Sequence, residues 1–202
     1  MILSNTMPTL LNKLSDPKLS KLLASGAVGV LPTDTIYGLV CSAADEKAVA
    51  RLYAFKKREH KPGTVIAANI EQLVELGVQR RYLKAVEQFW PESISVIIPC
   101  GPELAYLHLS KQGLAIRIPK DPAVAELLKQ TGPLLTTSAN HPGEPPANTV
   151  KEAQKYFGNE LDFYVDGGDL SNRPPSTIIR IIDDTIEIVR QGAVKVDQTG
   201  ED

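Results

Sequence analysis

The chain has 202 residues, with 22 Lys and Arg against 24 Asp and Glu, a formal net charge of -2 and 43% apolar residues. This length suits one domain with a real core, and the average composition argues against a disordered chain and against a membrane-spanning one. Balanced charge argues against a general nucleic-acid binder, and two cysteines far apart in sequence argue against a disulfide framework or a zinc site. We therefore expect a cytoplasmic protein of one domain, residues 1–202, with a core at about 18–193 and a frayed C-terminal tail.

The predicted elements alternate between strand and helix over the first half of the chain. Segments rich in β-branched residues predict strands, and segments with apolar residues at helical spacing predict helices. In chain order we expect a strand at 27–32, a helix at 46–56, a strand at 64–69, helices at 71–77 and 80–89, strands at 93–99 and 114–119, a helix at 122–130, a strand at 134–139, a helix at 149–157, and strands at 162–167, 176–182 and 186–191. This order favours an α/β fold with a mixed sheet.

The segment LPTDTIYGL at 31–39 places two threonines, an aspartate and a tyrosine directly after the first predicted strand. One interpretation is a strand-to-helix turn that is capped by a Thr or Asp side chain. The other is a small polar pocket for a compact ligand, because hydroxyl groups at a strand end can line one. The segment alone favours neither.

The segment FKKREHKP at 55–62 concentrates four Lys and Arg side chains and a histidine at the end of a predicted helix. Cations at a helix C-terminus are mildly stabilising, so a solvated helix end is one interpretation. The Pro and Gly that follow constrain the loop, and mixed Lys and Arg side chains suit several phosphate oxygens at once. Phosphate contacts are the second interpretation.

Two later strands carry polar groups that suit a binding site. Arg117 interrupts LAIRIP and by alternation points away from Ile116 and Ile118, either into solvent or into a pocket where it pairs with a carboxylate. The segment LLTTSANHPGEPP at 134–146 places hydroxyls and an amide at a strand end, which suit adenine, ribose or phosphate groups as well as simple strand termination. The sequence has no Gly-rich phosphate loop, dinucleotide-binding turn or zinc-binding helix motif, so a nucleotide would bind by another route.

Taken together, these segments resemble the YrdC-like domain of threonylcarbamoyl-AMP synthases. The similarity follows the family's order across residues 20–192 and rests on PTDTIYGL, on Lys56 and Arg58 in K-x-R with KP after it, on WP at 90–91, RIP at 117–119, TSAN at 137–140 with G-x-PP after it, STIIR at 176–180 and RQG at 190–192. The chain departs from the family pattern in the three-residue step from Arg58 to Lys61, in WPES with Ser95 where a threonine is usual, and in Val40 after YGL. The resemblance implies the short bacterial type, with an open twisted mixed β-sheet, flanking helices and a basic concave cavity.

The resemblance also implies an activity. Family members are nucleotidyltransferases that combine L-threonine, bicarbonate or CO2, and ATP into L-threonylcarbamoyladenylate and pyrophosphate. Magnesium enters with ATP, and we expect no dedicated protein metal site. The product passes to the machinery that forms N6-threonylcarbamoyladenosine in tRNA. Two alternatives stay open. One is a YrdC-like paralogue without synthase activity that acts as an RNA-binding accessory protein, and the other is a double-stranded RNA or tRNA binder that uses the concave basic face. Weak RNA binding by the synthase itself also stays open.

By position, the resemblance assigns roles to individual residues. It implies catalytic roles for Lys56 and Arg58 and threonine binding by Thr33, Arg117 and Ser176, with Arg117 pairing the carboxylate of threonine. It implies ATP binding by Lys56, Arg58, Lys61, Ser138, Asn140 and Arg190, and it adds Thr35 and Tyr37 as further pocket candidates. We expect Lys56→Ala or Arg58→Ala to abolish most turnover while leaving the melting temperature almost unchanged.

Overall fold

The computed structural model describes residues 7–56, 61–183 and 185–196, and the strands within these ranges form one ten-stranded sheet. The strands are β1 Thr9–Leu11, β2 Gly29–Pro32, β3 Tyr37–Ser42, β4 Thr64–Ile66, β5 Ile94–Pro99, β6 Gly113–Arg117, β7 Leu134–Ser138, β8 Phe163–Val165, β9 Thr177–Ile182 and β10 Thr185–Arg190. Their order is β1-β8-β2-β3-β7-β4-β6-β5-β9-β10. The pairs β1–β8, β2–β8, β4–β6 and β5–β9 are parallel and the others are antiparallel, which confirms the predicted mixed sheet.

Helices flank the sheet, and several begin at the capping residues that the sequence provides. The helices are α1 Pro17–Ala24, α2 Glu46–Phe55, α3 Ile70–Leu76, α4 Arg80–Lys84, α5 Ala105–His108, α6 Pro122–Thr131 and α7 Val150–Phe157, with 3₁₀ turns at Glu87–Phe89 and Pro102–Leu104. The Asp45 carboxylate accepts hydrogen bonds from the backbone N–H groups of Lys47 and Ala48 and so starts α2. Asp121 caps α6 in the same way, with a proline at the first helical position.

The two faces of the sheet are covered unequally, and this positions the site. One face packs along its length against α2 and its neighbouring helices in the larger core cluster, which includes Leu52, Val96 and Ile116. On the other face, α1 and α6 cover only the part formed by β1, β8, β2 and the adjoining ends of β3, β7 and β4, through residues such as Leu23 and Leu128. The opposite half of this second face carries polar side chains, and the candidate site lies there.

The structure confirms the eight predicted strands and the predicted helices at α2, α3, α6 and α7. It shows that the strand-to-helix interpretation of LPTDTIYGL is wrong, because Pro32 and Tyr37 pair across a turn that joins β2 to β3 as an antiparallel hairpin. β3 was missed because five of its six residues are buried in succession, so no alternation marks it. The predicted helix at 80–89 splits into α4 and a 3₁₀ turn.

Three elements escaped the prediction, namely β1, α1 and α5. β1 and α5 have only three and four residues and offer few periodic positions. α1 has eight residues, an Asp16 cap and buried Leu19 and Leu23, a helical pattern that the prediction left out. β1 lies before the expected start of the core at about residue 18, yet it pairs with β8 in the sheet. The end of the predicted frayed tail, residues 197–202, lies outside the described residues. In the described ranges, no helix combines the length and apolar character that a membrane crossing requires.

Candidate active site

The site is a cavity of about 130 Å³ on the half of the sheet that α1 and α6 leave uncovered. The turn between β2 and β3 forms one wall, and the facing walls come from β4, β6, β7 and the segments that begin β9 and end β10. Among the described residues that line it, two are arginines and none is acidic. The polar lining residues are Thr33, Thr35, Tyr37, Thr64, Arg117, Thr136, Thr137, Ser138, Ser176 and Arg190.

The β2–β3 turn presents a directed pair of hydroxyl groups. Thr33 Oγ1 donates to the backbone carbonyl of Ile36 at 2.7 Å and accepts from the backbone N–H of Thr35 at 3.2 Å. The Thr35 hydroxyl lies 3.1 Å from Thr33 Oγ1. Because the only proton of Thr33 Oγ1 goes to Ile36, Thr35 is the donor in this contact. Thr35 Oγ1 is therefore left as an acceptor on the cavity wall.

Two glycines let the strands around the cavity approach one another closely. A Cβ atom on Gly38 would lie 2.4 Å from Thr136 Oγ1, and a Cβ atom on Gly63 would lie 2.7 Å from the Thr136 carbonyl oxygen. Both distances are shorter than a real Cβ atom tolerates. β3 therefore needs glycine at 38, and the segment before β4 needs glycine at 63, for both to approach Thr136 on β7.

Arg117 forms a buried ion pair at the cavity. Its Nη2 donates to Asp34 Oδ1 at 2.9 Å, and both side chains are 3% exposed. Its Nη1 donates to Ser95 Oγ at 3.0 Å, while the Ser93 hydroxyl donates to Asp34 Oδ2 at 3.1 Å. Arg117 Nε is buried without a hydrogen-bond partner among the described residues. Of the two directions that alternation left open, the side chain takes the one into the pocket.

Lys56 is buried and holds the TSAN segment from behind the cavity wall. Its Nζ donates to the backbone carbonyls of Ser138 and Asn140, at 2.9 and 2.5 Å, and to Asn140 Oδ1 at 2.7 Å. Three acceptors require three protons, so the amine is an ammonium group. Asn140 Oδ1 also accepts from the Ser138 hydroxyl, and Asn140 Nδ2 donates to the Glu144 carbonyl. Ser138 lines the cavity, whereas Lys56 and Asn140 brace it.

Arg190, at the end of β10, holds the residue that precedes β9. Its Nε and Nη2 donate to the Ser176 carbonyl at 3.1 and 2.7 Å, and Nη2 also lies 3.1 Å from Ser176 Oγ. Lys61 lies on an adjoining groove of about 590 Å³, together with Lys111 and Arg180. The groove and the cavity share Pro62, Gly63, Thr64 and Ile178, so they are continuous. Arg58 lies outside the described residues.

Tyr37 serves as an anchor for the loop that follows β8. Its hydroxyl donates to the Gly168 carbonyl and accepts from the Gly167 N–H, each at 2.8 Å. Burial of the ring raises the pKa of the Tyr37 hydroxyl above its usual value. The group therefore stays protonated at neutral pH and holds the loop rather than exchanging protons with a ligand.

The sequence prediction named seven residues that line the cavity, namely Thr33, Thr35, Tyr37, Arg117, Ser138, Ser176 and Arg190. It missed Asp34 and Ser95 as site residues. Ser95 carried a detectable signal, because alternation along β5 separates it from Ile94 and Val96, which face the core. Asp34 belongs to the polar segment LPTDTIYGL, but its pairing with Arg117 had no signal, because the two residues are 83 positions apart in the sequence.

Comparisons with known proteins show what the chain is similar to. Residues 21–192 match the family model Sua5_yciO_yrdC, whose description is telomere recombination. The threonylcarbamoyl-AMP synthase of Pseudomonas aeruginosa is 35% identical over 165 residues, which cover 80% of this chain and 89% of the relative. The enzyme of the same name from Pseudomonas syringae is 35% identical over 177 residues, covering 84% and 93%.

Solved structures share the fold at lower sequence identity. P. abyssi Sua5 complexed with L-threonine superimposes with a TM-score of 0.80 at 23% identity, over 93% of this chain and 58% of that chain. The present chain thus spans little more than half of the Sua5 length. E. coli YciO gives a TM-score of 0.79 at 23% identity, over 95% of this chain and 99% of that chain. With the family model matched over most of its length, the chain belongs to the Sua5/YciO/YrdC family.

Proposed function

We propose that this protein is a threonylcarbamoyl-AMP synthase that joins L-threonine, bicarbonate or CO2, and ATP into threonylcarbamoyl-AMP and pyrophosphate. The observation that carries the proposal is the hydroxyl-lined cavity with Arg117 and Arg190 in its wall, continuous with a basic groove. Relatives at 35% identity that bear this enzyme name support it. The enzyme is then a nucleotidyltransferase, and its product serves the threonylcarbamoyl modification of tRNA.

The cavity suits the amino acid rather than the nucleotide. A volume of about 130 Å³ is similar to the roughly 150 Å³ of an engineered cavity that holds a benzene molecule. A guanidinium has five N–H groups, of which Asp34 and Ser95 engage two, so others remain for the carboxylate of threonine. Ser176 would assist Arg117 in binding this carboxylate. Thr33 would fix the Thr35 hydroxyl so that its oxygen accepts a hydrogen bond from the amino group of threonine.

The triphosphate extends from the cavity into the adjoining groove in this proposal. Arg190, which lines the cavity, and Lys61, which lines the groove, would contact phosphate oxygens. Lys111 would add positive charge along the groove, as would Arg180, which also pairs with Glu187 at 3.5 Å. Ser138 contacts the nucleotide directly, whereas Lys56 and Asn140 act by holding the Ser138 segment in place. Arg58 stays a proposed phosphate contact on the family resemblance alone.

Magnesium enters bound to ATP in this proposal. Within the described part of the chain, no three His, Cys, Asp or Glu side chains cluster as metal ligands do. The carboxylate of Asp34, which lies behind the cavity lining, accepts from Arg117 with one oxygen and from Ser93 with the other. In a site without such a cluster of protein ligands, Mg²⁺ would be coordinated by phosphate oxygens of ATP and by water. When bound, the ion neutralises charge on the triphosphate.

The chemistry requires no nucleophile from the protein. The amine of threonine adds to CO2 and loses a proton, which gives a carbamate. A carbamate oxygen then forms a bond to the α-phosphorus of ATP, and the bond from that phosphorus to the bridging oxygen breaks, so pyrophosphate leaves with the electron pair. The protein contributes by holding two anions in line and by offsetting their charge, effects that are worth several kcal/mol each.

The proposal is tested by incubating the purified protein with ATP, magnesium chloride, bicarbonate and isotopically labelled threonine. We expect pyrophosphate and a labelled threonylcarbamoyl adenylate that both depend on threonine. Arg117→Gln should remove most of this product, whereas Lys47→Gln, at an exposed lysine on α2, should not. A wild-type protein that forms no threonine-dependent product and binds RNA instead would support the accessory-protein alternative.

A further inference from the structure

We propose that Ser95 is a positioning residue that fixes the Ser176 hydroxyl as a hydrogen-bond donor to the carboxylate of the bound amino acid. The proposal rests on the proposed function, since it assigns the orientation of threonine in the same cavity. Ser95 is fully buried on β5, and Ser176 lies at the cavity wall just before β9. Their hydroxyl oxygens are 3.1 Å apart, although 81 positions separate them in the sequence.

An arginine approaches each serine from outside the pair. Arg117 Nη1 lies 3.0 Å from Ser95 Oγ, and Arg190 Nη2 lies 3.1 Å from Ser176 Oγ. A guanidinium carries donors and no acceptor, so both serine oxygens must accept from their arginine. Asp34 holds Arg117 through its other terminal nitrogen at 2.9 Å, which keeps Nη1 directed at Ser95.

The buried position of Ser95 decides the direction of the remaining contact. Each hydroxyl has one proton, and one serine must donate to the other. If Ser176 donated, the Ser95 proton would have no acceptor among the described residues, at a position with no access to solvent. An unsatisfied buried donor is unfavourable. Ser95 is therefore the donor, and Ser176 accepts from both Ser95 and Arg190.

This direction leaves the Ser176 proton for the cavity. Ser176 then offers a ligand a hydrogen-bond donor on the same wall as Arg117, which has only donors. Two neighbouring donor groups suit a carboxylate and disfavour an ammonium group. The carboxylate of the amino acid therefore lies between Arg117 and Ser176, and Ser95 acts on it through the Ser176 hydroxyl.

The first test measures L-threonine affinity by calorimetry without ATP, and steady-state kinetics with ATP, for Ser95→Ala and Ser95→Thr. We expect Ser95→Ala to raise both Kd and KM for threonine roughly fivefold to tenfold, the worth of about one net hydrogen bond, with kcat within about twofold. Ser95→Thr keeps the hydroxyl and should restore the affinity. Ser42→Ala, in β3 away from the cavity, is the matched control. Should Ser95→Ala fail to fold, Ser95→Cys has a similar size and weaker hydrogen bonding and takes its place.

The second test compares Ser176→Ala with the Ser95→Ala/Ser176→Ala double variant. We expect no further loss of affinity in the double variant, because Ser95 acts through Ser176. Threoninamide, which lacks the carboxylate, should bind wild type and Ser95→Ala equally. The proposal is overturned if Ser95→Ala binds threonine like the wild type, or if the two penalties add in full. A wild type that neither binds threonine nor forms product would instead refute the proposed function.

Discussion

Replacement of Lys56 by methionine should lower the stability of the protein as well as its activity, contrary to the expectation from sequence. The Lys56 ammonium is 1% exposed and donates to three oxygens of the Ser138–Asn140 segment. Methionine fills nearly the same volume, so the change removes these hydrogen bonds without opening a large cavity. The variant therefore isolates the contribution of the ammonium group.

The size of the expected loss in stability follows from the hydrogen bonds that each acceptor oxygen keeps when the ammonium group is removed. The Ser138 carbonyl still accepts from the Asn140 N–H at 3.0 Å, and Asn140 Oδ1 still accepts from the Ser138 hydroxyl at 2.7 Å. The Asn140 carbonyl loses the one partner that it has among the described residues. A lost charge-assisted hydrogen bond costs about 1.5–3 kcal/mol and an orphaned buried acceptor about 1–3 kcal/mol. Relief of the buried charge offsets part of this, so we expect a net loss of about 2–4 kcal/mol.

Thermal and urea denaturation without ligand measure this loss. For a chain of this size the loss corresponds to a fall in melting temperature of roughly 5–15 °C. Lys47→Met, on the exposed side of the same helix, should melt within about 1 °C of the wild type, as surface changes usually do. If Lys56→Met melts like Lys47→Met while turnover is lost, Lys56 acts on the phosphates and does not brace the segment.

Three further predictions concern two residues at the cavity, Gly38 and Asp34, and the partly buried thiol of Cys100. Gly38→Ala should raise KM for threonine at least tenfold and lower the melting temperature, because its Cβ would lie 2.4 Å from Thr136 Oγ1; wild-type kinetics would refute the close approach. Asp34→Ala should cost about 3–5 kcal/mol in urea unfolding, because it leaves the Arg117 charge buried without its carboxylate, and Asp34→Asn should recover part of the loss. Burial raises the pKa of Cys100 to about 11, so its thiol stays neutral below that pH and should label slowly at pH 8, with a rate that increases as pH rises. Rapid labelling of the native protein at pH 8 would contradict this burial.

Local sequence patterns predicted those parts of the fold in which adjacent residues carry the information. Eight strands were found because β-branched runs mark them, and alternation within β6 put Arg117 on the face opposite Ile116 but left open whether that face meets solvent or a pocket. β3 was not found, because its YGLVCS sequence is buried on both faces and lacks alternation. Lys56 was interpreted as a ligand contact, because nothing near it in the sequence indicates that the Ser138–Asn140 segment covers its ammonium group.

The contacts that organise the site join residues far apart in the chain, and a single sequence does not contain them. Asp34 and Arg117 are 83 positions apart, and Ser95 and Ser176 are 81 apart. Ser95 and Ser176 meet because β5 pairs with β9 in the sheet, with Ile94 opposite Thr177. Asp34 reaches Arg117 from the β2–β3 turn, across β7 and β4, which lie between β3 and β6 in the strand order. Strand order and register are global properties, so the polar network could be predicted only as a set of candidates.

The incomplete helix layer leaves the buried Arg117 side chain at the wall of a cavity. α1 and α6 cover one half of this face with leucines and valines, and the apolar layer reaches Ile66 on β4. Ile66 pairs in register with Arg117 on β6, so the guanidinium lies where the apolar layer stops and the cavity begins. A charge beside apolar packing is poorly screened, and its attraction for a carboxylate is stronger than at an open surface. Asp34 offsets the free-energy cost of burying that charge. In our proposal Ser95 donates to Ser176, so that the proton of Ser176 points into the cavity.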